Sequence, residues 1–320
     1  MSLSNRLTDF FGIEHPIVLA PMAEISGGRL AAAVTRAGGL GLLGGGYGDA
    51  DWLRREFALA DDARVGCGFI TWSLARHPEV LDVALRRRPA AIMLSFGDPA
   101  AFAGAVRDAG VPLICQVQTL AQAHHALRSG ADVLVAQGSE AGGHGMTSRS
   151  TLTFVPAVVD LVAECSPETF VLAAGGIADG RGLAAALALG ADGVLVGTRF
   201  WASAEALVSP RAQQHAIHAS GEDTIRTRVY DVVRQLDWPA HYDERALRNA
   251  FLQRWHGNEA ELLADLPEAV ATFQAALAAE DFDVAHILAG EAVGLIHDVA
   301  AAGDIMRHMV CDATRILNRP

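Results

Sequence analysis

Over the first two-thirds of the chain, short apolar runs alternate with amphipathic stretches of helical period. The runs at 17–20, 40–43, 64–70, 91–96, 112–117, 132–137, 170–174 and 193–197 predict strands. They are hydrophobic almost throughout, without polar alternation, as in parallel strands covered on both faces. The stretches at 28–37, 52–60, 79–87, 99–108, 120–128, 155–164 and 182–189 predict the intervening helices. Repeated strand–helix units of this size imply right-handed crossovers between parallel strands. Eight strands suffice to close an α/β TIM (β/α)8 barrel, and a doubly wound open sheet is the competing architecture.

The turns favour the barrel. Gly175-Gly176 and Gly197-Thr198 fall at the carboxyl ends of the last two predicted strands. Glycine there lets backbone N–H groups approach a phosphate, and a following helix N-terminus adds a favourable dipole. That is the phosphate position of a β/α barrel.

Beyond residue 220 the pattern changes. Residues 222–264 carry Trp238, Tyr242 and Trp255 without strand alternation, and 265–320 read as mostly helical, broken near Gly290 and Gly303. The expected organisation is a barrel from 1–221 and 291–320, with 222–290 as a smaller helical cap beside its mouth.

Composition narrows the chemistry. The 320 residues are 51% hydrophobic, enough for a full core, and the net charge of −12 disfavours nucleic acid or an anionic membrane as partner. Every basic residue is arginine. Without lysine, Schiff-base mechanisms are excluded, and with them the aldolase and pyridoxal-phosphate readings of a barrel. Cys67, Cys115, Cys165 and Cys311 form no CxxC pair, so no metal site is expected. Cys67 and Cys115 read as buried structural thiols. Neither a signal peptide nor a membrane-spanning run is evident, and the expected setting is a reduced cytoplasm.

The segment VAQGSEAGGHG follows the sixth predicted strand. Its glycines specify a tight loop that can pass close to a planar ligand, with His144 at the catalytic end of the barrel. Histidine is the side chain most easily poised as a base near neutral pH. Glu140 reads as a second acid–base group or, better, as a carboxylate bracing the loop through backbone N–H groups.

Together, PIVLAPMAEISGG, QGSEAGGHG and AAGGIADGRG…GADGVLVGTRF resemble the nitronate monooxygenase family, FMN-dependent barrel enzymes formerly called 2-nitropropane dioxygenases. RALRNAFLQRW and AGEAVGLIHDV extend the resemblance to nearly the whole chain. It implies that Ala20, Pro21 and Met22 lie against the isoalloxazine ring, with Gly68 where relatives often carry asparagine. It places Gln116, a lysine in some relatives, at the pyrimidine side. Gln137, Gly138, Gly142 and Gly143 would border the flavin, while Gly175, Gly176, Gly197 and Thr198 would hold its phosphate. His144 matches the catalytic histidine, which holds a nitronate or removes the α-proton of a nitroalkane. The implied reaction oxidises an alkyl nitronate with O2 to a carbonyl compound and nitrite, and a homodimer is admitted. The best-defined branch has tyrosines and a lysine around the substrate; here there is no lysine and the tyrosines are Tyr47, Tyr230 and Tyr242, of which Tyr47, after the second strand, reads equally as a residue reaching the mouth or one exposed on its turn.

Three alternatives remain open. One is an NAD(P)H-dependent FMN reductase of a quinone or an enoyl thioester on the same scaffold. Another is a non-redox isomerase or lyase that binds a phosphorylated substrate at the same turns. The last is a non-catalytic assembly subunit.

Overall fold

A computed structural model describes residues 3–318. Eight parallel strands form its main sheet: β1 (Ile17–Leu19), β2 (Leu42–Gly46), β3 (Gly66–Ile70), β4 (Ile92–Ser95), β5 (Leu113–Val117), β6 (Val133–Gln137), β8 (Phe170–Ala174) and β9 (Gly193–Val196). A short strand, β7 (Gly143–Gly145), falls between β6 and β8 but belongs to a second sheet. Strand order runs β1-β9-β8-β6-β5-β4-β3-β2, and a parallel bridge from Val18 to Leu40 brings the two edges together. The expected barrel is what the chain forms.

Side-chain alternation along these strands separates two apolar layers. Val18, Met93, Ile114, Val133, Val135, Leu172 and Leu195 fill the barrel interior, closed at its amino-terminal end by Leu7 and Phe11 of the first helix, Arg6–Phe11. Ile17, Leu19, Leu94, Cys115, Leu134, Val171 and Val194 face the helices instead. Both faces of every strand are thus apolar, which is why the runs were continuous. Cys67 and Cys115 are buried and free, as expected.

The seven predicted crossover helices all form. The one expected over 155–164 begins a turn earlier, as Thr151–Cys165, and carries Pro156 within it. The last helix, Ala302–Leu317, lies on the barrel wall against Gly180–Ala188. Gly180 allows the close approach: a Cβ there would sit 2.5 Å from that of Asp312 and 2.7 Å from the Met309 carbonyl oxygen.

Residues 222–290 depart from expectation. The pattern predicts a helical cap, yet these residues contain β10 (Thr224–Thr227) and β11 (Asp243–Leu247), which join β7 in an antiparallel sheet. TIRT and DERAL are too polar to look like strands. Their polar groups are satisfied by pairing rather than exposure: the buried Arg226 side chain lies 2.6 Å from Asp243. Helices Val229–Val233, Ala250–Trp255 and Leu266–Ala279 complete this part around Tyr230, Phe251, Trp255 and Phe273. Among the described residues, no helix is long and apolar enough to cross a membrane.

Candidate active site

At the carboxyl ends of the barrel strands lies a cavity of about 490 Å³, bounded on its other side by residues of the 222–290 segment and the stretch that follows it. Its floor begins at Ala20, Pro21 and Met22. The buried Ser26 fixes this turn, donating to the Ala20 carbonyl at 2.8 Å and accepting from the Met22 N–H at 3.2 Å. Gly44 and Gly68 make room for it. A Cβ at Gly44 would meet the Met22 carbonyl oxygen at 2.0 Å, and one at Gly68 would meet the Pro21 ring at 2.3 Å. Gly68 therefore lies behind Pro21 rather than on the cavity surface expected for it. Gly138 is displaced likewise: it packs against Thr151, where a Cβ would approach the hydroxyl at 2.2 Å.

The other sequence-derived positions line the cavity: Gln116, Gln137, Gly142, Gly143, His144, Gly175, Gly176, Gly197 and Thr198, besides the turn residues. Gly142 also meets Gly290, whose nitrogen a Cβ would contact at 2.4 Å. Glu140 braces the loop, its carboxylate accepting the Thr151 N–H at 2.9 Å. Gln116 and Gln118 both donate to the Gln137 side-chain oxygen, at 3.2 and 2.8 Å, and Gln137 donates to the His144 carbonyl at 3.3 Å. The Gln116 side-chain amide oxygen is left to accept from a ligand.

One end of the cavity is a backbone cradle. Gly175 and Gly176 have φ of +101° and +74°, conformations that side chains other than glycine rarely adopt. A Cβ at Gly176 would meet nothing nearer than Glu140 at 3.6 Å, and one at Gly197 nothing nearer than Ala20 at 3.6 Å. The space above both is open. Thr198 starts a short helix, Thr198–Trp201, with no side-chain cap, and its hydroxyl oxygen accepts the Gly290 N–H at 3.0 Å. The hydroxyl proton and the first helical N–H groups remain for an anion. A phosphate fits this cradle, and the flat floor over Pro21 and Met22 fits an aromatic ring system.

His144 stands opposite. β7 pairs with β11 so that His144 and Glu244 are directly opposed and share a face. The imidazole Nε2 is hydrogen-bonded to Asp231 Oδ1 at 2.9 Å and lies 3.8 Å from Glu244 Oε2. All three side chains are buried, and their donor atoms lie within 4.8 Å of one another, close enough to share a proton or a cation. Arg234 already brings a guanidinium to 3.9 Å from Glu244. Trp238 stacks on the imidazole with centroids 3.4 Å apart and planes 5° apart, and donates its indole N–H to the Tyr47 hydroxyl at 3.2 Å.

Burial pushes the His144 pKa below its ordinary value, against the opposing pull of Asp231. Burial raises Glu244 well above the usual carboxylate range, with Asp231 adding to the effect and Arg234 opposing it. Tyr47 is pushed up to about 12, and His286, at the cavity wall, down to about 3, both by burial. The neutral imidazole is therefore favoured at His144 near pH 7, and Arg234 is the cationic side chain at this wall.

Asp231, Arg234, Glu244 and His286 were missed by sequence reasoning. Asp231 is one charge within VYDVV, and Glu244 one of two acids in DERAL. Neither carries a local signature. Trp238 had been noted, but nothing in the sequence tied it to His144.

The family profile of nitronate monooxygenase matches residues 4–63 and 71–312. The chain belongs to the nitronate monooxygenase family. It is 33% identical to a nitronate monooxygenase of Neurospora crassa, over 92% of this chain and 88% of that one. Identity to a 5-hydroxy-7a-methyl-1-oxo-octahydro-indene-4-carboxyl-CoA dehydrogenase of Mycobacterium tuberculosis is 32%, over 72% and 65% of the two chains. Among solved structures it resembles FabK from Thermotoga maritima, with TM-score 0.85, 30% identity and coverage of 99% and 98%. It also resembles the nitroalkane oxidase of Streptomyces ansochromogenes, with TM-score 0.79, 27% identity and coverage of 97% and 98%. The chain is thus an enzyme of the nitronate monooxygenase type, from a family of flavin-dependent oxidoreductases.

Proposed function

We propose that this enzyme binds FMN across the barrel mouth and oxidises alkyl nitronates, and the nitroalkanes from which they form, with O2 to carbonyl compounds and nitrite. The observation that carries the reading is the placing of the glycine cradle and a neutral, carboxylate-bonded His144 on one cavity. FMN when bound supplies the two-electron acceptor and returns those electrons to dioxygen.

Gly175, Gly176, Gly197 and Thr198 would hold its phosphate, and Pro21 and Met22 would support the ring. Gln116 would meet the pyrimidine edge as an acceptor. Gly142 and Gly143 keep the loop low enough for the ring to lie beneath His144. His144 takes the α-proton of a neutral nitroalkane, a task for which a neutral imidazole is suited and an imidazolium is not. Arg234 holds the nitro or nitronate oxygens, which gain negative charge as that proton leaves. The aromatic wall of Tyr47, Phe96 and Trp238 excludes water from the reacting carbon. Residues 222–290 act as the cap. All four cysteines are free, in keeping with a cytoplasmic enzyme.

A second reading is a dehydrogenase or reductase of an acyl thioester, favoured by the resemblance to the mycobacterial carboxyl-CoA dehydrogenase. Anaerobic mixing of the yellow holoenzyme with ethyl nitronate, nitroethane, NADH and NADPH separates the two. Flavin bleaching by the nitro compounds alone supports the proposal. Rapid bleaching by a nicotinamide, with none by the nitro compounds, overturns it.

A further inference from the structure

The buried carboxylates behind His144 take no part in the reaction as described so far. Asp231 Oδ2 and both oxygens of Glu244 are enclosed without a hydrogen-bond partner. Unpaired buried acceptors of this kind are costly, and two ionised carboxylates side by side more so. Their position relative to the imidazole explains them. An imidazole has two nitrogens, and only the one without hydrogen is a base. Nε2 faces Asp231 at 2.9 Å, an acceptor when ionised, so Nε2 must carry the hydrogen. The basic lone pair is then on Nδ1.

We infer that Asp231 is a positioning residue, which fixes His144 as the tautomer with a free Nδ1 lone pair, and that Glu244 holds a proton beside it, leaving the pair with a single negative charge. This rests on the reading of His144 as the base.

The geometry supports each part. Trp238, stacked on the imidazole, prevents the ring from tilting out of the Asp231 bond. The register of β7 on β11 fixes Glu244 across from His144, too far at 3.8 Å for a direct hydrogen bond to Nε2. Burial is the leading cause of Glu244's raised proton affinity. The other charged or titratable groups acting on His144 are Arg226 and Arg234, which oppose its protonation, and His286, itself neutral. When the substrate Cα–H bond breaks, the proton goes to Nδ1 and the bonding electron pair stays with the nitro group as nitronate. The Nε2–H stays on His144, still donated to Asp231, whose carboxylate then faces an imidazolium. That charge pairing lowers the barrier without any movement of the ring.

Three measurements on the flavin-loaded enzyme test this. In protein labelled with [15N]histidine, with His144→Ala supplying the assignment, the His144 resonances should report protonated Nε2 and bare Nδ1 at neutral pH. The opposite tautomer overturns the inference. Asp231→Asn should retain bound flavin and a KM within about threefold, yet lose at least about 100-fold in kcat, the range of a general base. The acid limb of its kcat/KM profile should move to lower pH, because the carboxylate that favours protonation of His144 has gone. The double variant His144→Ala/Asp231→Asn should be no slower than His144→Ala, since Asp231 acts only through the imidazole.

Flavin-loaded Asp231→Asn with wild-type turnover, beside an inactive His144→Ala, overturns the positioning role and leaves the base intact. Full activity in His144→Ala with nitroethane removes His144 as the base, and with it the reading on which this inference rests, while leaving nitronate oxidation by the flavin untouched. One tightly bound metal ion per chain, by elemental analysis, would also overturn the inference, because the carboxylates would then be ligands.

Discussion

The two walls of the cavity are made in opposite ways. The barrel side offers backbone: glycines at positive φ, N–H groups of a short helix, and an apolar turn over Pro21. The side built from 222–290 offers ionisable side chains: the buried Asp231 and Glu244 and the part-buried Arg234, around a histidine supplied by the barrel's own loop. The first arrangement suits recognition of a ligand by shape and dipole. The second, on the proposed reading, holds protons in chosen places and so decides the chemistry.

If the division is correct, damage to each wall should produce a different defect. The largest effect is expected from Gly176→Asp. An L side chain is strained at φ +74°, and a carboxylate there repels a phosphate. The protein should fold but purify colourless and inactive, as read by its absorbance near 450 nm and by added FMN failing to restore it. A normally yellow Gly176→Asp enzyme would show that the phosphate lies elsewhere.

On the opposite wall, His144→Ala should keep its flavin and lose about 10²- to 10⁴-fold in kcat for nitroethane. Its loss for preformed ethyl nitronate should be smaller, since no proton remains to be removed. Equal losses on both substrates would recast His144 as an anion holder rather than a base. Arg234→Met sharpens the same contrast. It removes the cation at this wall and should raise the KM for ethyl nitronate roughly 10-fold, the value of one charge-assisted hydrogen bond. The KM for neutral nitroethane should change less.

The division also explains what could be read from the chain. The barrel strands are apolar on both faces, so LICQV, VLVAQ and FVLAA announce themselves, and Gly175-Gly176 marks the end of the last of them. His144 was legible because it sits among glycines right after such a strand. β10 and β11 were not, because Arg226 is buried through Asp243 and through carbonyl oxygens such as that of Ser139, at 3.2 Å, rather than through apolar contact. A pattern of hydrophobicity cannot register a core made of pairings. Asp231 and Glu244 meet His144 across 87 and 100 residues of chain, and only the register of β7 on β11 brings Glu244 there. Gly68 and Gly138 add a second reason for glycine: a Cβ would collide with Pro21 at the first and with Thr151 at the second, so motif position alone cannot separate packing from contact with a ligand.

The smallest expected effect tests whether the buried charge is held as described. Glu244 has a folded pKa raised well above that of an unfolded chain, where a glutamate titrates near about 4.3. Between those two values the folded protein holds a proton that the unfolded chain has released. Stability must then fall as pH rises through that window, because the unfolded state binds fewer protons. Glu244→Gln replaces a neutral acid with a neutral amide of the same shape and removes the titration. Its melting temperature should decline less than wild type between pH 5 and pH 9, by about 2–4 °C for each kcal/mol of linkage removed. Parallel curves would mean that Glu244 is ionised in the folded enzyme and held by Arg234. The cap would then carry two negative charges behind His144, and the contrast between a dipolar wall and a proton-holding wall would fail at its centre.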